Sequence, residues 1–383
     1  MRKMMADNRF DALAPLFQAG GYHHIAPPIL QPADVFLDLA GEDIRRRLFL
    51  TSGQDGLDLC LRPDFTIPVA RTHLSGGAAA RAGAYCYSGL VFRQRAGELG
   101  EIPQVGAENI GRTDRLAADA DMLALAVEAV EKLGGKAPAI RIGDEALFTG
   151  VVEALGLPTA WRRRLRDLFG ERARLDQAIA RMAGSQGAEK DARIGFLAAL
   201  EGADPEAAHA VVEDLLSIAG IEAVGGRTAG EIAERFLEQA ALASGAGIGP
   251  ETAATLTRFL DISGNPDEAG DALTLFAHEA GLDLSQPIAD FRERARLISE
   301  RGLPADAITF AADFGRRLDY YTGFVFELHE TPGVRGRPPI AGGGRYDKLL
   351  ALLGAGEDVP AVGFSIWLER IADPEGASKG AGQ

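Results

Sequence analysis

The chain has 383 residues, 46% hydrophobic and 25% charged, which is typical of soluble globular proteins with two or three domains. Its formal net charge of −15 disfavours a surface built to attract nucleic acid, and two cysteines are too few for a disulfide framework or a four-ligand zinc site. The amino-terminal residues do not form a signal peptide, and no apolar run is long enough to span a membrane, so we expect a cytoplasmic protein.

The first 110 residues combine one helix with several strand-like segments. Apolar residues at helical spacing over 10–17 predict a helix that ends at Gly20-Gly21. The segment 23–30 carries two prolines, which favours an edge strand or a strand at an interface. Further strands are predicted at 57–61, 84–92 and 105–110. Their close spacing and Gly-containing turns indicate an antiparallel sheet.

The middle of the chain is different in character. A helix is predicted from Asp114 to Lys132, ended by Gly134-Gly135. From about residue 140 to 303 the sequence is rich in Ala, Arg, Glu and Leu at helical spacing, interrupted by Gly, Ser and Pro. We therefore predict a mostly helical insertion at 140–303. Its basic run, 162–164, favours a solvated helix face over a phosphate site.

The strand signal returns after residue 304. Strands are predicted at 307–314, 318–328 and 361–365, with a Gly/Pro loop over 331–344 and a final helix at the end. Strands, inserted helices and strands again predict one α+β domain, formed by 1–139 and 304–383 and interrupted by the helical insertion.

Four short segments place charged, aromatic and glycine residues where strands would otherwise carry aliphatic residues. They are 61–66, 89–95 with 104–108, 316–323, and 341–347. Asp64 could accept hydrogen bonds from a ligand ammonium group, or it could cap the helix that begins near Phe65. Gln104 and Glu108 are four residues apart on one strand, so they share a face. They could enter one pocket or form a solvent-facing stripe.

The last two segments contain paired tyrosines and a triple glycine. On a strand, Tyr320 and Tyr321 would point to opposite faces, so one could line a site while the other packs in the core; ordinary packing of both is the alternative. The glycines at 342–344 would permit close approach to a ligand, although a flexible turn is favoured in isolation. No phosphate-binding loop, metal-ligand spacing or nucleophile elbow is present. The residues thus predict neither a catalytic nor a metal site.

Taken together and in this order, the segments resemble class II aminoacyl-tRNA synthetases, in particular the catalytic domain of histidyl-tRNA synthetase. Pro28 resembles the dimer-interface proline of motif 1, Phe92-Arg93 the start of motif 2, and 363–370 motif 3. The segments 316–321 and 342–347 resemble the two histidine-specific signatures. The resemblance covers about 5–135 and 305–373, and it implies an antiparallel sheet flanked by helices.

The resemblance also implies a histidine pocket. The residues concerned are Asp64, Thr66, Arg93, Gln104, Glu108, Arg316, Tyr321 and Tyr346. By position, Asp64 would face the α-amino group, Tyr321 and Tyr346 the imidazole ring, and Arg316 the carboxylate. Arg93 corresponds to the motif 2 arginine that binds the α-phosphate of the nucleotide.

The sequence departs from the synthetase pattern on the nucleotide side. Arg95 replaces the glutamate that reads adenine, and Trp367 replaces a motif 3 glycine, so its indole would occupy nucleotide space. Arg317 replaces another glycine, and Asp64 is one methylene shorter than the synthetase glutamate. Only residues 371–383 follow motif 3, too few for an anticodon-binding domain. We therefore expect no ATP site, no cofactor and no tRNA partner.

A retained amino-acid pocket beside a damaged nucleotide site resembles the regulatory subunits of ATP phosphoribosyltransferase. This resemblance implies a non-catalytic chain that acts with a short catalytic subunit in the first step of histidine biosynthesis and its feedback inhibition by histidine. It also implies a homodimer within a larger hetero-oligomer. Histidine could be sensed in this pocket or at the interface with the partner. The alternative function is a histidyl-tRNA synthetase-like, ATP-dependent ligase acting on histidine.

Overall fold

The computed structural model describes most of the chain in two compact units. Described are residues 2–39, 44–76, 82–134, 137–183, 223–224, 227–228, 249–316, 320–330 and 338–371. The first unit comprises Met1–Gly150 with Leu260–Gln383, and the second comprises Val151–Phe259. The first unit is therefore discontinuous in sequence, with its later part beginning after the second unit ends.

The strands are as follows: β1 (His23–His24), β2 (Leu30–Pro32), β3 (Leu50–Ser52), β4 (Asp58–Leu61), β5 (Gly83–Phe92), β6 (Glu101–Ile110), β7 (Ala139–Asp144), β8 (Ala223–Val224), β9 (Arg227–Thr228), β10 (Ser263–Gly264), β11 (Ile308–Ala311), β12 (Phe324–His329), β13 (Ala341–Arg345) and β14 (Ala361–Trp367). The helices are α1 (Arg2–Ala19), α2 (Ala33–Leu39), α3 (Thr66–Ser75), α4 (Arg115–Lys132), α5 (Glu145–Ala154), α6 (Thr159–Asp167), α7 (Arg172–Met182), α8 (Pro250–Leu260), α9 (Pro266–Ala280) and α10 (Ser285–Glu300).

A nine-stranded sheet, counted over the described residues, organises the first unit. Its order is β1-β5-β6-β14-β13-β12-β7-β11-β10. The pairs β1–β5 and β7–β11 are parallel, and the other neighbours are antiparallel. A smaller sheet has the order β2-β4-β3. The predicted α+β class and its largely antiparallel sheet are confirmed.

Two long helices of the first unit follow the sequence prediction. In α1, Leu13 and Phe17 are fully buried, and the chain turns at Gly21 with a φ of 77°. In α4, Leu123 and Val130 are fully buried, and Gly134 takes a φ of 85° just after the helix. Because a side chain is costly at such φ values, glycine ends both helices where the sequence indicates.

The boundaries of the helical insertion differ from the prediction of 140 and 303. Strand β7 lies inside the large sheet between β12 and β11, so residues 139–144 belong to the first unit. Helix α10 also belongs there, since its buried Arg294 donates to Asp119 of α4 at 3.0 Å and to Asp144 of β7 at 2.6 Å. Helical spacing alone could not reveal that these segments pack against the sheet.

Three strand predictions need correction. The strand predicted at 318–328 begins only at Phe324, and residues 317–319 lie outside the described residues. The glycines of the predicted loop 331–344 are part of β13, paired on both sides. The strand predicted at 23–30 is reduced to β1, which does lie at the sheet edge. In each case the pairing partners decide the strand, and these are distant in sequence.

The second unit contains α6, α7, most of α8 and the short hairpin β8–β9. Trp161 and Leu165 of α6, Leu175 of α7 and Phe259 of α8 are buried, which gives this unit an apolar core. Helix α6 carries the basic run, and Arg163 is exposed. Over the described part of the whole chain, no helix combines the length and hydropathy needed to cross a membrane.

Candidate functional site

One face of the large sheet brings the predicted site residues together. Cross-strand pairing places Glu108 opposite Gly363, and Gln104 opposite Trp367. Because alternate residues of a strand share a face, Gln104 and Glu108 point to the same side, as predicted. Both side chains are almost fully buried, so the solvent-facing alternative is wrong.

Four glycines lie on this same face and leave space above the strands because they have no side chains. The pairing of β13 with β14 aligns Gly344 with Gly363 and Gly342 with Ser365, while Gly106 lies between Gln104 and Glu108 on β6. A Cβ at Gly363 would overlap Glu108, and one at Gly342 would overlap the Arg316 guanidinium. Larger side chains can therefore fold over the strands only because these positions lack a Cβ. We call this surface the glycine-rich face.

Glu108 lies at the centre of the glycine-rich face and accepts three hydroxyl hydrogen bonds. Its Oε2 accepts from Tyr346 at 2.5 Å, and its Oε1 accepts from Thr66 at 2.8 Å and Tyr87 at 3.3 Å. Burial raises the pKa of Glu108 to about 8, against the opposing effect of these hydrogen bonds. Glu108 thus fixes the positions of Tyr346 and Thr66.

Asp64 performs the capping role that the sequence left open and keeps its second oxygen unpaired, while its contact with a ligand ammonium group stays a prediction. One oxygen, Oδ1, accepts from the backbone N–H of Ile67 in the first turn of α3, at 3.3 Å. The other oxygen, Oδ2, is buried without a partner. Burial raises the pKa of Asp64 to about 6, although the charge of Arg93 opposes this. A buried acceptor without a partner is costly, which makes it a candidate contact for a ligand donor.

The segment that carries Asp64 is held in place by Arg62. The Arg62 guanidinium donates to the carbonyl of Leu90 at 2.9 Å and to that of Pro27 at 2.6 Å, and it lies 4.1 Å from the centre of the Phe65 ring. Phe65 in turn stacks on Tyr87, with ring centres 4.3 Å apart. These contacts fix Asp64 relative to strand β5.

Arg316 and Tyr321 cover the other end of the glycine-rich face. The Nη1 atom of Arg316 donates to Glu327 Oε1 at 3.2 Å, while its Nε is buried without a partner. Its guanidinium carbon lies 5.9 Å from the centre of the Tyr321 ring. Tyr320 links the tyrosines, with its ring centre 5.2 Å from Tyr321 and 6.0 Å from Tyr346.

The prediction that Tyr320 and Tyr321 point to opposite faces of a strand is wrong. Both precede β12, where alternation does not apply, and both are buried beside the site. Their position depends on Thr322, whose N–H donates to the Arg345 carbonyl at 2.9 Å and whose hydroxyl accepts from the Asp347 N–H at 3.0 Å. The tyrosine segment is therefore attached to the end of β13, next to Tyr346.

The remaining two predicted residues complete the group. Gln104 is buried, and its Oε1 has no partner. Arg93 is half-buried and donates its Nε to the Pro63 carbonyl at 2.8 Å; burial lowers its pKa, and the charge of Asp64 opposes that. All eight predicted residues therefore lie on or around the glycine-rich face. Their role in binding histidine stays a prediction.

Sequence reasoning missed two residues of this site, Tyr87 and Glu327. Tyr87 donates to the Phe364 carbonyl at 3.0 Å besides reaching Glu108, and its oxygen lies 2.8 Å from Ser365 Oγ. Glu327 pairs with Arg316 and lies 3.4 Å from His329 Nε2. A charged residue within the otherwise apolar start of β12 was a signal that could have identified Glu327.

The residues that the resemblance places beside the nucleotide make contacts within the chain itself. Trp367 is 6% exposed and packs with Phe65 and Tyr87. Arg95 forms an ion pair with Glu369 at 3.1 Å, and Arg370 donates to the Pro339 carbonyl at 2.6 Å. We call these residues, Arg95, Trp367, Glu369 and Arg370, the nucleotide side. Among the described residues no group of three or more His, Cys, Asp or Glu side chains is arranged to hold a metal ion.

Comparisons with known proteins agree with this geometry. The family model described as histidyl-tRNA synthetase matches residues 5–227 and 207–371. An ATP phosphoribosyltransferase regulatory subunit of Chelativorans sp. is 45% identical over 350 residues, covering 91% of this chain and 92% of its own. One of Mesorhizobium japonicum is 44% identical over 370 residues, covering 95% and 97%.

Solved structures share the fold. A histidine–tRNA ligase subunit from Alicyclobacillus acidocaldarius matches with a TM-score of 0.59 and 25% identity, over 98% of this chain and 94% of that one. A protein from Bacillus halodurans, described as an ATP phosphoribosyltransferase regulatory subunit/histidyl-tRNA synthetase, matches with a TM-score of 0.63 and 19% identity, over 96% and 78%. The class II synthetase-like fold predicted from the sequence is confirmed.

Proposed function

Because this chain belongs to the ATP phosphoribosyltransferase regulatory subunits, a family with a histidyl-tRNA synthetase-like domain, we propose that its glycine-rich face binds free L-histidine as an effector. Its relatives are named as regulatory subunits, which indicates a role in histidine biosynthesis beside a catalytic partner rather than catalysis of its own. Histidine bound here would make the activity of that partner depend on the concentration of the end product.

The unpartnered buried atoms of the glycine-rich face carry this proposal. Asp64 Oδ2 and Gln104 Oε1 are acceptors, which suit an ammonium group, and Arg316 Nε is a donor, which suits a carboxylate. A free amino acid presents both groups. Near them Tyr346, oriented by Glu108, and Tyr321 offer hydroxyls and ring surfaces to an imidazole. The site is therefore complementary to a zwitterion with a polar aromatic side chain.

The nucleotide side supports binding without adenylation. Adenylate formation needs ATP next to the amino acid, and the Trp367 ring fills space there between two guanidinium groups. The ion pair of Arg95 with Glu369 already satisfies both charges. We therefore propose that the chain binds neither ATP nor tRNA, forms a homodimer within the hetero-oligomer, and transmits histidine binding by a shift between assemblies.

The tyrosine segment is the element best placed to transmit that shift. Tyr320 and Tyr321 contact the site, and Thr322 attaches them to the end of β13 through two hydrogen bonds. A ligand can shift an equilibrium only by the difference in its affinity for the two states. Histidine would supply that difference if it packs against Tyr321 in one state and not in the other.

The test is steady-state turnover of ATP and phosphoribosyl pyrophosphate by the cognate catalytic subunit, alone, with this chain, and with this chain plus L-histidine. We expect this chain to raise the rate and histidine to lower it. The variant Asp64→Asn keeps the size of the side chain but removes its charge, so histidine should inhibit only at much higher concentration. Asp267→Asn, at an exposed aspartate of α9, is the matched control and should behave like the unchanged chain.

Two results would contradict the proposal. If neither this chain nor histidine changes the rate, the regulatory function fails, and histidine-dependent pyrophosphate exchange becomes the next assay, because it detects the ligase alternative. If histidine inhibits Asp64→Asn as strongly as the unchanged complex, the effector is sensed elsewhere, such as at the interface with the catalytic subunit.

A further inference from the structure

The indole N–H of Trp367 is a buried donor without a partner. Nε1 of Trp367 finds no acceptor, although the residue is only 6% exposed. Buried indole N–H groups usually have a hydrogen-bond partner, because leaving one unpaired costs free energy. Cross-strand pairing sets Trp367 opposite Gln104, so the indole lies on the glycine-rich face, where it packs with Phe65 and Tyr87. A ligand bound on this face beside Gln104 would therefore lie next to the indole.

Cations surround this indole. The guanidinium carbon of Arg370 lies 4.4 Å from its ring centre, and that of Arg316 lies 5.7 Å away. Cations over the face of a ring are attracted by its π electrons. Burial, with the charges of Arg95, Arg93 and Arg316, lowers the pKa of Arg370 to about 10, against the opposing charge of Glu369. The electrostatic surroundings of Trp367 therefore favour an anion.

We infer that the Trp367 N–H contacts the ligand and, together with the Nε of Arg316, receives the carboxylate of a free α-amino acid. This inference rests on the proposed function, since it concerns the same site. It assigns a binding role to a residue that otherwise only fills space on the nucleotide side. Its consequence is selectivity: the site would distinguish a free amino acid from the same molecule with its carboxylate reduced, amidated or esterified.

A carboxylate fits better than a phosphate for two reasons. The donors at Trp367 and Arg316 share the glycine-rich face with the unpartnered acceptors of Asp64 and Gln104, so the ligand must present an anion and a cation together. A phosphate group offers no donor cation to those acceptors. The Arg95 guanidinium, another possible phosphate contact, is already paired with Glu369.

The test uses the full-length chain, the variant Trp367→Phe and calorimetric titration with two probes. L-histidine has the carboxylate, whereas L-histidinol has a hydroxymethyl group in its place. Phenylalanine keeps an aromatic ring but removes the N–H, so the dissociation constant for L-histidine should rise about tenfold or more, as for loss of a hydrogen bond to a charged group. The constant for L-histidinol should change less than about twofold. Trp161→Phe, which removes the other tryptophan in α6, should leave both constants unchanged.

The outcomes separate this inference from the proposed function. If the unchanged chain binds L-histidine but Trp367→Phe keeps the same preference for it over L-histidinol, the N–H has no role in selectivity and the inference fails alone. If ATP or inorganic phosphate displaces L-histidine, the anion site is a phosphate site and the inference also fails. If the unchanged chain does not bind L-histidine, the inference falls together with the histidine pocket.

A second measurement does not depend on the folding of a Trp367 variant. The chain has two tryptophans, so Trp161→Phe leaves Trp367 as the single indole. Saturation with L-histidine should then change the Trp367 emission, with the same midpoint as the calorimetric titration, while saturation with L-histidinol should change it less. Equal emission changes with both probes, or none with L-histidine at a saturating concentration, would overturn the inference.

Discussion

The proposed amino-acid half of this site lies on the sheet face, whereas the nucleotide side lies mostly just beyond the ends of β5 and β14, and the two differ in how their charged groups are satisfied. In the amino-acid half, Asp64 and Gln104 each keep a buried acceptor unpaired. On the nucleotide side, Arg95 is paired with Glu369 and Arg370 with the Pro339 carbonyl. The charged groups of the nucleotide side thus have partners within the chain, whereas the amino-acid half keeps acceptors that a ligand could pair. Trp367, at the boundary, belongs to both halves.

The largest effect is expected for Trp367→Ala, which removes the side chain that fills the nucleotide side. Truncation of a buried tryptophan typically costs about 3–5 kcal/mol of unfolding free energy, because burial is lost and a cavity remains. Denaturant unfolding measures this loss. The variant should still fail to bind ATP, since Arg95 stays paired with Glu369. Millimolar or tighter ATP binding by Trp367→Ala would show that the indole alone separates the two halves.

Gly363→Ala should have the next largest effect, because it disturbs the amino-acid half at its centre. The new Cβ would overlap Glu108, and the Ala107 carbonyl behind it belongs to paired backbone. Overpacking of this kind costs about 1–3 kcal/mol of unfolding free energy, measurable by thermal or denaturant unfolding. Histidine affinity should fall as well, because Glu108 positions Tyr346. Gly249→Ala, where a Cβ meets nothing within 4 Å, is the matched control. Equal stability of the two variants would contradict the packing described for this face.

A smaller effect on the free energy of unfolding is expected from a change in pH. Asp64 and Glu108 should contribute to it in different pH ranges. Burial raises the pKa of Glu108 from 4.5 to about 8 and that of Asp64 from 3.8 to about 6. The folded chain therefore holds these protons more tightly than the unfolded chain. Their contribution to stability is complete below about pH 4 and is lost as the pH rises through 6 for Asp64 and 8 for Glu108, at no more than about 1.4 kcal/mol per pH unit for each proton.

Two variants test this pH dependence by unfolding at a series of pH values. Glu108→Gln should flatten the decline in stability between pH 6.5 and 8, whereas Asp64→Asn should leave that part unchanged and alter the curve below pH 6. Identical curves for both variants and the unchanged chain would mean that neither carboxylate holds a proton in this range.

The smallest effect is expected for Arg95→Ala on the nucleotide side. The ion pair with Glu369 is partly exposed, with side-chain exposures of 24% and 26%, and such pairs typically contribute less than about 1 kcal/mol. Calorimetric titration should show unchanged L-histidine affinity. A clear loss of L-histidine affinity in Arg95→Ala would show that the nucleotide side contributes to histidine binding, which the account does not expect.

Local sequence patterns predicted the parts of the fold that depend on near neighbours. Helix α4, strand β5 and residues 105–110 of β6 follow from apolar periodicity and glycine boundaries, whereas the start of β6 at Glu101 was not predicted. The position of Gln104 and Glu108 on the same face of one strand follows from the two-residue repeat of a strand. The other predicted site residues came from the resemblance to a known family. Local patterns could not identify them, because residues as distant as 64 and 346 come together only through the topology of the sheet.

What sequence could not predict depends on partners distant in the chain. The glycines of β13 have the composition of a turn, and they form a strand because β12 and β14 pair with them on both sides. Strand β7 has only six residues, and its place in the large sheet is decided by β11 and β12. The unpaired Nε1 of Trp367 is likewise a property of the assembled site, since no local pattern indicates which donors remain unsatisfied.

Calorimetric titration of the full-length chain with L-histidine, and then with ATP in the presence and absence of L-histidine, tests the central claim most directly. That claim is that the amino-acid half is kept for a ligand while the nucleotide side is closed by the chain itself. We predict saturable binding of one L-histidine per chain, no heat from ATP, and no change in histidine affinity when ATP is present. Binding of ATP, or failure of L-histidine to bind, would contradict the account.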